Sequence, residues 1–170
     1  VVARPFIKFF NIEEGKHTAT PDFDVYDKMD GSLGILFNYE GEWVMATRGS
    51  FTSDQAVKGF EMLQKYDYQK LHKDYTYLFE IIYDENRIVV KYPYEDLVLL
   101  GMINTETGYE VDLYGEGVDV RLKNLINNLG FKVVKKYVEK LDTIQMNIFS
   151  RDGPVAMSLR SWALNTISIK

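Results

Sequence analysis

The chain of 170 residues is 46% hydrophobic and 26% charged, enough to bury the core of one domain and too balanced for a disordered tail, a collagen-like repeat or a coiled coil. It has no cysteine and only two scattered histidines, His17 and His72, which excludes thiolate nucleophiles, disulfides and cysteine zinc sites and argues against a histidine-rich metal centre. Twenty Lys and Arg against 25 Asp and Glu leave a net charge of −5, so any nucleic acid must be held by a local patch rather than by bulk electrostatics.

The longest apolar run, Leu97 to Ile103 with Gly101 inside it, falls far short of the roughly 18 residues of a membrane span. The opening stretch, with Arg4, Pro5 and Lys8 among aromatics, lacks the apolar centre of a signal peptide. A soluble intracellular protein with no membrane partner is expected, folded as one continuous domain over residues 1–170.

Alternation of Asp22, Phe23, Asp24 and Val25 predicts a strand that ends at Lys28. Leu33 to Phe37 and Trp43 to Thr47 read as a hairpin whose turn is Asn38, Tyr39, Glu40 and Gly41. Ser53 and Asp54 can cap a helix with Ala56, Phe60 and Leu63 inward, running to about Gln64, and a short basic helix is expected near Tyr68 to Lys73. Tyr75 to Tyr83, Arg87 to Lys91 and Leu97 to Ile103 read as three strands. Val118 to Asn128 predicts a helix stopped by Gly130, Phe131 to Val134 a strand, and Lys136 to Gln145 a last helix. Short hairpin strands with interspersed helices give an α+β fold dominated by antiparallel sheet.

Tyr26-Asp27-Lys28-Met29-Asp30-Gly31-Ser32 is the stretch richest in chemistry. A lysine at a strand end, followed two residues later by aspartate and then glycine, sets an amine beside backbone that a ligand can approach closely. On its own the pattern also describes an ordinary surface turn, so its company decides. The run resembles the nucleotidyl-acceptor motif of the covalent nucleotidyltransferases, the superfamily of ATP-dependent DNA ligases, RNA ligases and mRNA capping enzymes, and within it the T4 RNA ligase 1 family. Upstream, Ala3-Arg4-Pro5 and Lys8-Phe9-Phe10-Asn11 are similar to that family's signature. Downstream, Thr47-Arg48-Gly49-Ser50 with Ser53-Asp54-Gln55-Ala56, then Phe79-Glu80-Ile81-Ile82 with Asn86-Arg87-Ile88-Val89, and finally Glu106-Thr107-Gly108 resemble its later motifs in order.

The end of the chain departs from the family's pattern of Glu-Gly-x-Val followed by Lys-x-Lys. Asp152-Gly153-Pro154-Val155 and Ser168-Ile169-Lys170 stand there instead, with a carboxylate one methylene shorter and one ammonium missing. A rival, Glu116-Gly117-Val118, lies too close to Glu80 and has Asp119 where valine is expected.

The resemblance implies an adenylyltransferase domain lacking parts of its parent at both ends, using ATP with Mg²⁺ or Mn²⁺ on RNA ends, tRNA among the candidate substrates, in the cytoplasm or, for a virus, the host cytoplasm. It implies Lys28 as the acceptor of AMP and Lys8, Phe10, Gly31, Arg48, Glu80, Asp152 and Lys170 as nucleotide-binding residues, with Glu80 and Asp152 as candidate metal ligands. An ammonium has no lone pair, so the acceptor must first lose a proton. Asp30 has the plainer alternative of a turn-stabilising aspartate. The Lys65, Lys70, Lys73 group with its interleaved tyrosines reads as a solvated helix face before an RNA track, and Lys132, Lys135, Lys136 and Lys140 raise the same choice. The degraded tail favours an alternative function, a catalytically impaired nucleotide- or RNA-end-binding module of the same fold.

Overall fold

A computed structural model describes residues 1–7, 10–11, 23–86, 90–137, 157–161 and 166–169. In chain order the strands are β1 (Phe10–Asn11), β2 (Phe23–Asp27), β3 (Ser32–Tyr39), β4 (Glu42–Ala46), β5 (Tyr75–Ile82), β6 (Asp96–Asn104), β7 (Lys132–Val133), β8 (Lys136–Tyr137), β9 (Met157–Ser161) and β10 (Thr166–Ile169); the helices are α1 (Asp54–Leu63) and α2 (Val120–Asn128). The chain divides into two compact units, Val1–Pro5 with Asp30–Val133, and Phe6–Met29 with Val134–Lys170.

The first unit holds a sheet ordered β4-β3-β5-β6-β7, antiparallel except where β6 meets β7. β5 lies at its centre and is buried on both faces: every residue from Thr76 to Ile82 is buried. Tyr77, Phe79 and Ile81 share a face with Leu36 of β3 and with Met102, Leu99 and Leu97 of β6. The register shifts between Leu78 and Phe79, so that Leu100 is left over as a bulge and Leu97, Leu99 and Met102 all keep that face. These residues form one core with Trp43, Met45, Met62, Leu63 and Ile126.

α1 begins where Ser53 accepts a hydrogen bond from Ala56 N, the N-cap that the sequence predicts. It buries Ala56, Gly59, Met62 and Leu63. Gly59 allows the helix to close on the sheet, since a Cβ there would stand 2.7 Å from Ile81 Cδ1. The β3–β4 hairpin turns through Glu40 and Gly41, both at positive φ of 51° and 96°, as the right-handed twist of a two-residue turn requires. Gly130, at φ 81°, ends α2 where the sequence places the stop.

The second unit holds a sheet ordered β1-β10-β9-β2-β8, antiparallel except for the β1–β10 pair. One expectation fails here. Lys136 and Tyr137 begin a strand and not a helix, because they pair with Tyr26 and Val25 and fasten both side chains across the ladder, Lys136 to Asp24 at 2.8 Å and the Tyr137 hydroxyl to Asp27 at 2.6 Å. Cross-strand pairing overrides a helical spacing of only a few residues. The remainder of that expected helix, 138–145, lies outside the described residues, as do positions 87–89 of the expected Arg87 to Lys91 strand. Val90 and Lys91 themselves are not in a strand. The short basic helix is a single 3-10 turn, Tyr68–Lys70. β9 and β10 were not anticipated, although Met157-Ser158-Leu159-Arg160 and Thr166-Ile167-Ser168-Ile169 alternate between apolar and polar residues; each run is only four or five residues long.

At the edge of the first sheet, Asp96 ties three elements together. Its carboxylate accepts from the Tyr66 hydroxyl, the Lys132 ammonium and Leu97 N, while Tyr66 stacks on Phe131 with ring centroids 4.2 Å apart. Burial pushes the Asp96 pKa up, but the bonds from Lys132, Tyr66 and Leu97 outweigh it and hold the carboxyl below its ordinary value. A carboxyl depressed in the folded state stabilises it fully above the unfolded pKa and loses that contribution as pH falls through the folded one. Asp96→Asn is therefore expected to lower stability by about 1–3 kcal/mol at pH 7. In urea unfolding the gap from the parent chain should close below about pH 4; a gap constant from pH 7 to pH 3 contradicts the assignment.

Candidate functional site

Four residues of the Asp27 to Ser32 stretch are fixed by neighbours that can be named. In the second unit, Asp27 N donates to Lys135 O at 3.0 Å and the Asp27 carboxylate accepts from Tyr137, so the end of β2 is held in place. Lys28 follows at once, half-buried, in a segment with no regular structure. In the first unit, Asp30 N donates to the Tyr92 hydroxyl at 3.0 Å and the Asp30 carboxylate accepts from Val90 N at 2.6 Å. The aspartate of Lys-x-Asp-Gly thus fastens its turn to the segment before β6, in keeping with the turn-stabilising reading.

Gly31 lies against the central strand. A Cβ at this position would stand 2.5 Å from Ile81 O and 3.1 Å from Glu80 Cγ, so only glycine allows the turn to come this close to β5. Ser32 follows with its hydroxyl 2.8 Å from Asn86 Nδ2, which also reaches Ile81 O at 3.4 Å. Asn86 closes a 3-10 turn, Asp84–Asn86, directly after β5. The start of β3 and the end of β5 are thereby tied by side chains as well as by the ladder.

Glu80 projects from β5 at 9% exposure, with apolar Leu33 and Val98 as its ladder partners. A carboxylate is costly in such a position unless it is engaged. The Tyr92 phenol is held above its usual pKa by burial, with Tyr94, Asp30 and Glu80 adding to the rise and the Asp30 N–H opposing it. It therefore remains a neutral hydroxyl at physiological pH.

Of the residues singled out in the sequence, Gly31 and Glu80 meet in the first unit. Arg48 belongs to the same unit but is exposed in the turn between β4 and α1, and among the described residues it forms no hydrogen bond or ion pair. That turn is rigid, with Thr47 N bonded to Ser50 O and the Thr47 hydroxyl 3.0 Å from that of Ser53. Lys28 belongs to the second unit. Phe10 lies in β1, described by its backbone, which pairs with Ile167 of β10. Lys8, Asp152 and Lys170 lie outside the described residues, as does Arg87.

Two other motif pieces meet for a structural reason. Arg4 donates through Nε to Thr105 O at 2.6 Å and through Nη2 to Glu106 O at 2.9 Å, while Arg4 N donates to the Thr76 hydroxyl. The Asn104 side chain accepts from Glu106 N and Thr107 N, so the Glu106-Thr107-Gly108 turn is an anchor for the amino-terminal segment. The basic stretches are locally engaged. Lys70 pairs with Asp67, Tyr66 and Tyr68 pack on the core, Lys132 with Asp96, and Lys136 with Asp24. Tyr92 was missed in the sequence, because a lone tyrosine beside Pro93 carries no periodic signal.

Gly31→Ala should push on the backbone of β5 and cost about 1–3 kcal/mol, whereas Gly49→Ala, with nothing within 4 Å of the added carbon, should be nearly neutral. Thermal unfolding of the two variants checks the contrast, and equal melting temperatures contradict it.

The RNA ligase family model of the T4 RNA ligase 1 type matches residues 1–151. A Thermovibrio ammonificans protein named provisionally as an RNA ligase is 31% identical over 151 residues, covering 81% of this chain and 37% of that protein. An Autographa californica nuclear polyhedrosis virus protein named provisionally as a bifunctional polynucleotide kinase/RNA ligase is 32% identical over 139 residues, covering 64% of this chain and 20% of that protein. The chain therefore spans a minor part of the relatives it matches. Among solved structures, an archaeal ATP-dependent RNA ligase superposes with TM-score 0.66 at 18% identity, covering 97% of this chain and 48% of that one. A Naegleria gruberi RNA ligase variant with ATP and Mn superposes with TM-score 0.64 at 12% identity, covering 99% and 56%. These last two establish likeness of fold, and with the sequence matches they carry the conclusion that the chain belongs to the T4 RNA ligase 1 family of RNA ligases.

Proposed function

We propose that the chain is the adenylyltransferase part of an ATP-dependent RNA ligase, with Lys28 as the residue that receives AMP. The observation that supports this best is the seating of Gly31 on β5 beside Glu80 within the first unit: the Asp30-Gly31 end of one motif and the acidic strand of another, some 50 residues apart in sequence, meet through a contact that only a glycine permits.

In the first step the deprotonated Nζ of Lys28 attacks the α-phosphorus of ATP. An N–P bond forms, the bond from that phosphorus to the bridging oxygen breaks, pyrophosphate leaves, and the amine proton passes to solvent. The RNA 5′-phosphate then displaces the lysine to take the AMP, and a 3′-hydroxyl attacks the activated phosphate, sealing the strand and releasing AMP. In this reading Arg48 neutralises phosphate charge, and Glu80 accepts hydrogen bonds from the ribose or engages a metal-bound phosphate. Lys8, Phe10, Asp152 and Lys170 complete the nucleotide-binding set in this reading.

Among the described residues no group of three or more His, Asp or Glu could hold a metal ion. Mg²⁺ is commonly held by substrate phosphates and one or two carboxylates, and in this reading Glu80 and Asp152 are the protein donors. When bound, the ion would offset the charge that builds on the phosphates. The RNA is of the broken-end class, tRNA included, and the setting is intracellular, where ATP and such ends occur together. No described helix is long and apolar enough to cross a membrane.

The shortened Asp152 and the Ser168 that replaces a cation favour one other reading, a nucleotide- or RNA-end-binding module without transfer activity. Incubation with ATP and Mg²⁺ followed by peptide mass spectrometry separates the two. One AMP on Lys28, absent from Lys28→Ala, is the expected result. ATP binding without modification selects the binding module, and modification of a different lysine removes Lys28 from its role.

A further inference from the structure

We propose that Tyr92 is a positioning residue for the transfer to Lys28: its hydroxyl and Val90 N clamp Asp30, and so fix where the acceptor segment leaves the first unit. The inference rests on the reading of Lys28 given above.

The segment is held at both ends. Asp27 is fastened through Lys135 O and the Tyr137 hydroxyl, Asp30 through the Tyr92 hydroxyl and Val90 N, and only Lys28 and Met29 lie between. Two virtual bonds join the Cα atoms of Lys28 and Asp30, so the lysine backbone stays within about 7.6 Å of the clamp whatever its side chain does. The next residue, Gly31, is pinned to Ile81 O and Glu80 Cγ by the lack of space for a side chain. Asp30 is thus the last place where the position of the acceptor can be adjusted before the chain meets the rigid sheet.

The two bonds are unequal in what they require. Val90 N gives a donor that any residue but proline would supply, whereas the Tyr92 acceptor for Asp30 N is a side-chain oxygen that phenylalanine lacks. Tyr92 is half-buried, its ring 5.6 Å from that of Tyr94, so its hydroxyl is held in place by packing. Its raised pKa keeps it protonated, a neutral partner next to the carboxylates of Asp30 and Glu80. In-line attack on phosphorus depends steeply on the placement of the nucleophile, and small displacements remote from the chemistry are known to slow reactions far more than they weaken binding.

The test is Tyr92→Phe, which keeps the ring and removes the oxygen, with Tyr94→Phe as the matched control. Growth of AMP-modified chain is followed by intact mass over a range of ATP concentrations. Tyr92→Phe is expected to lower the maximal rate about tenfold with the half-saturating ATP concentration unchanged within about twofold and the melting temperature nearly that of the parent. Exchange of the Asp30 amide hydrogen should quicken in the same variant. Tyr94→Phe should match the parent in rate. An unaltered rate in Tyr92→Phe overturns the inference and leaves the acceptor role of Lys28 standing. A slower rate accompanied by a raised ATP requirement, or by a loss of melting temperature, shows a binding or folding role and overturns it as well. A parent chain that binds ATP but never carries AMP on Lys28 removes the reading beneath it.

Discussion

The architecture of the candidate site depends on one close approach, Gly31 against the carbonyl of Ile81. A β5 strand buried on both faces gives a rigid platform, and the turn from the acceptor segment can rest on it only where there is no Cβ. The side chains nearby maintain the seat. Asn86 bonds both Ser32 and Ile81 O, and Asp30 is gripped from the segment before β6. Glu80, one residue before the contact, gains its fixed position from the same strand. The candidate site therefore rests on backbone packing more than on any single ionic bond.

The two units spread the sequence in an unusual way, since the first is interrupted by residues 6–29 and resumes at Asp30. The acceptor segment is the place where the chain passes from one to the other. The Asp27 bonds are made within the second unit and the Asp30 bonds within the first.

Much of this was legible in the residues. The Ser53 cap, the Glu40-Gly41 turn and the Gly130 stop are local signals, each with its own steric or hydrogen-bonding cause, and each lies where the sequence places it. The antiparallel α+β class follows from the short hairpin strands. What the residues could not reveal arises from long-range pairing. Lys136 and Tyr137 follow β2 into a ladder rather than the helical spacing of their own segment, and the roles of Tyr92 and Asn86 depend on contacts 62 and 54 positions away in sequence. Motif resemblance located Gly31 and Glu80 but was silent on why the glycine is needed. It also included Arg4 and Glu106 in the motifs without a role for either, and their shared bonds fasten the amino-terminal segment.

The account is tested most directly by a crystal structure of the chain grown after exposure to ATP and Mg²⁺. It predicts continuous density from Lys28 Nζ to the phosphorus of a single AMP, Gly31 still seated on Ile81, and the Glu80 carboxylate within hydrogen-bonding reach of the nucleotide. Nucleotide bound elsewhere on the surface, with Lys28 unmodified and Glu80 out of contact, would contradict it.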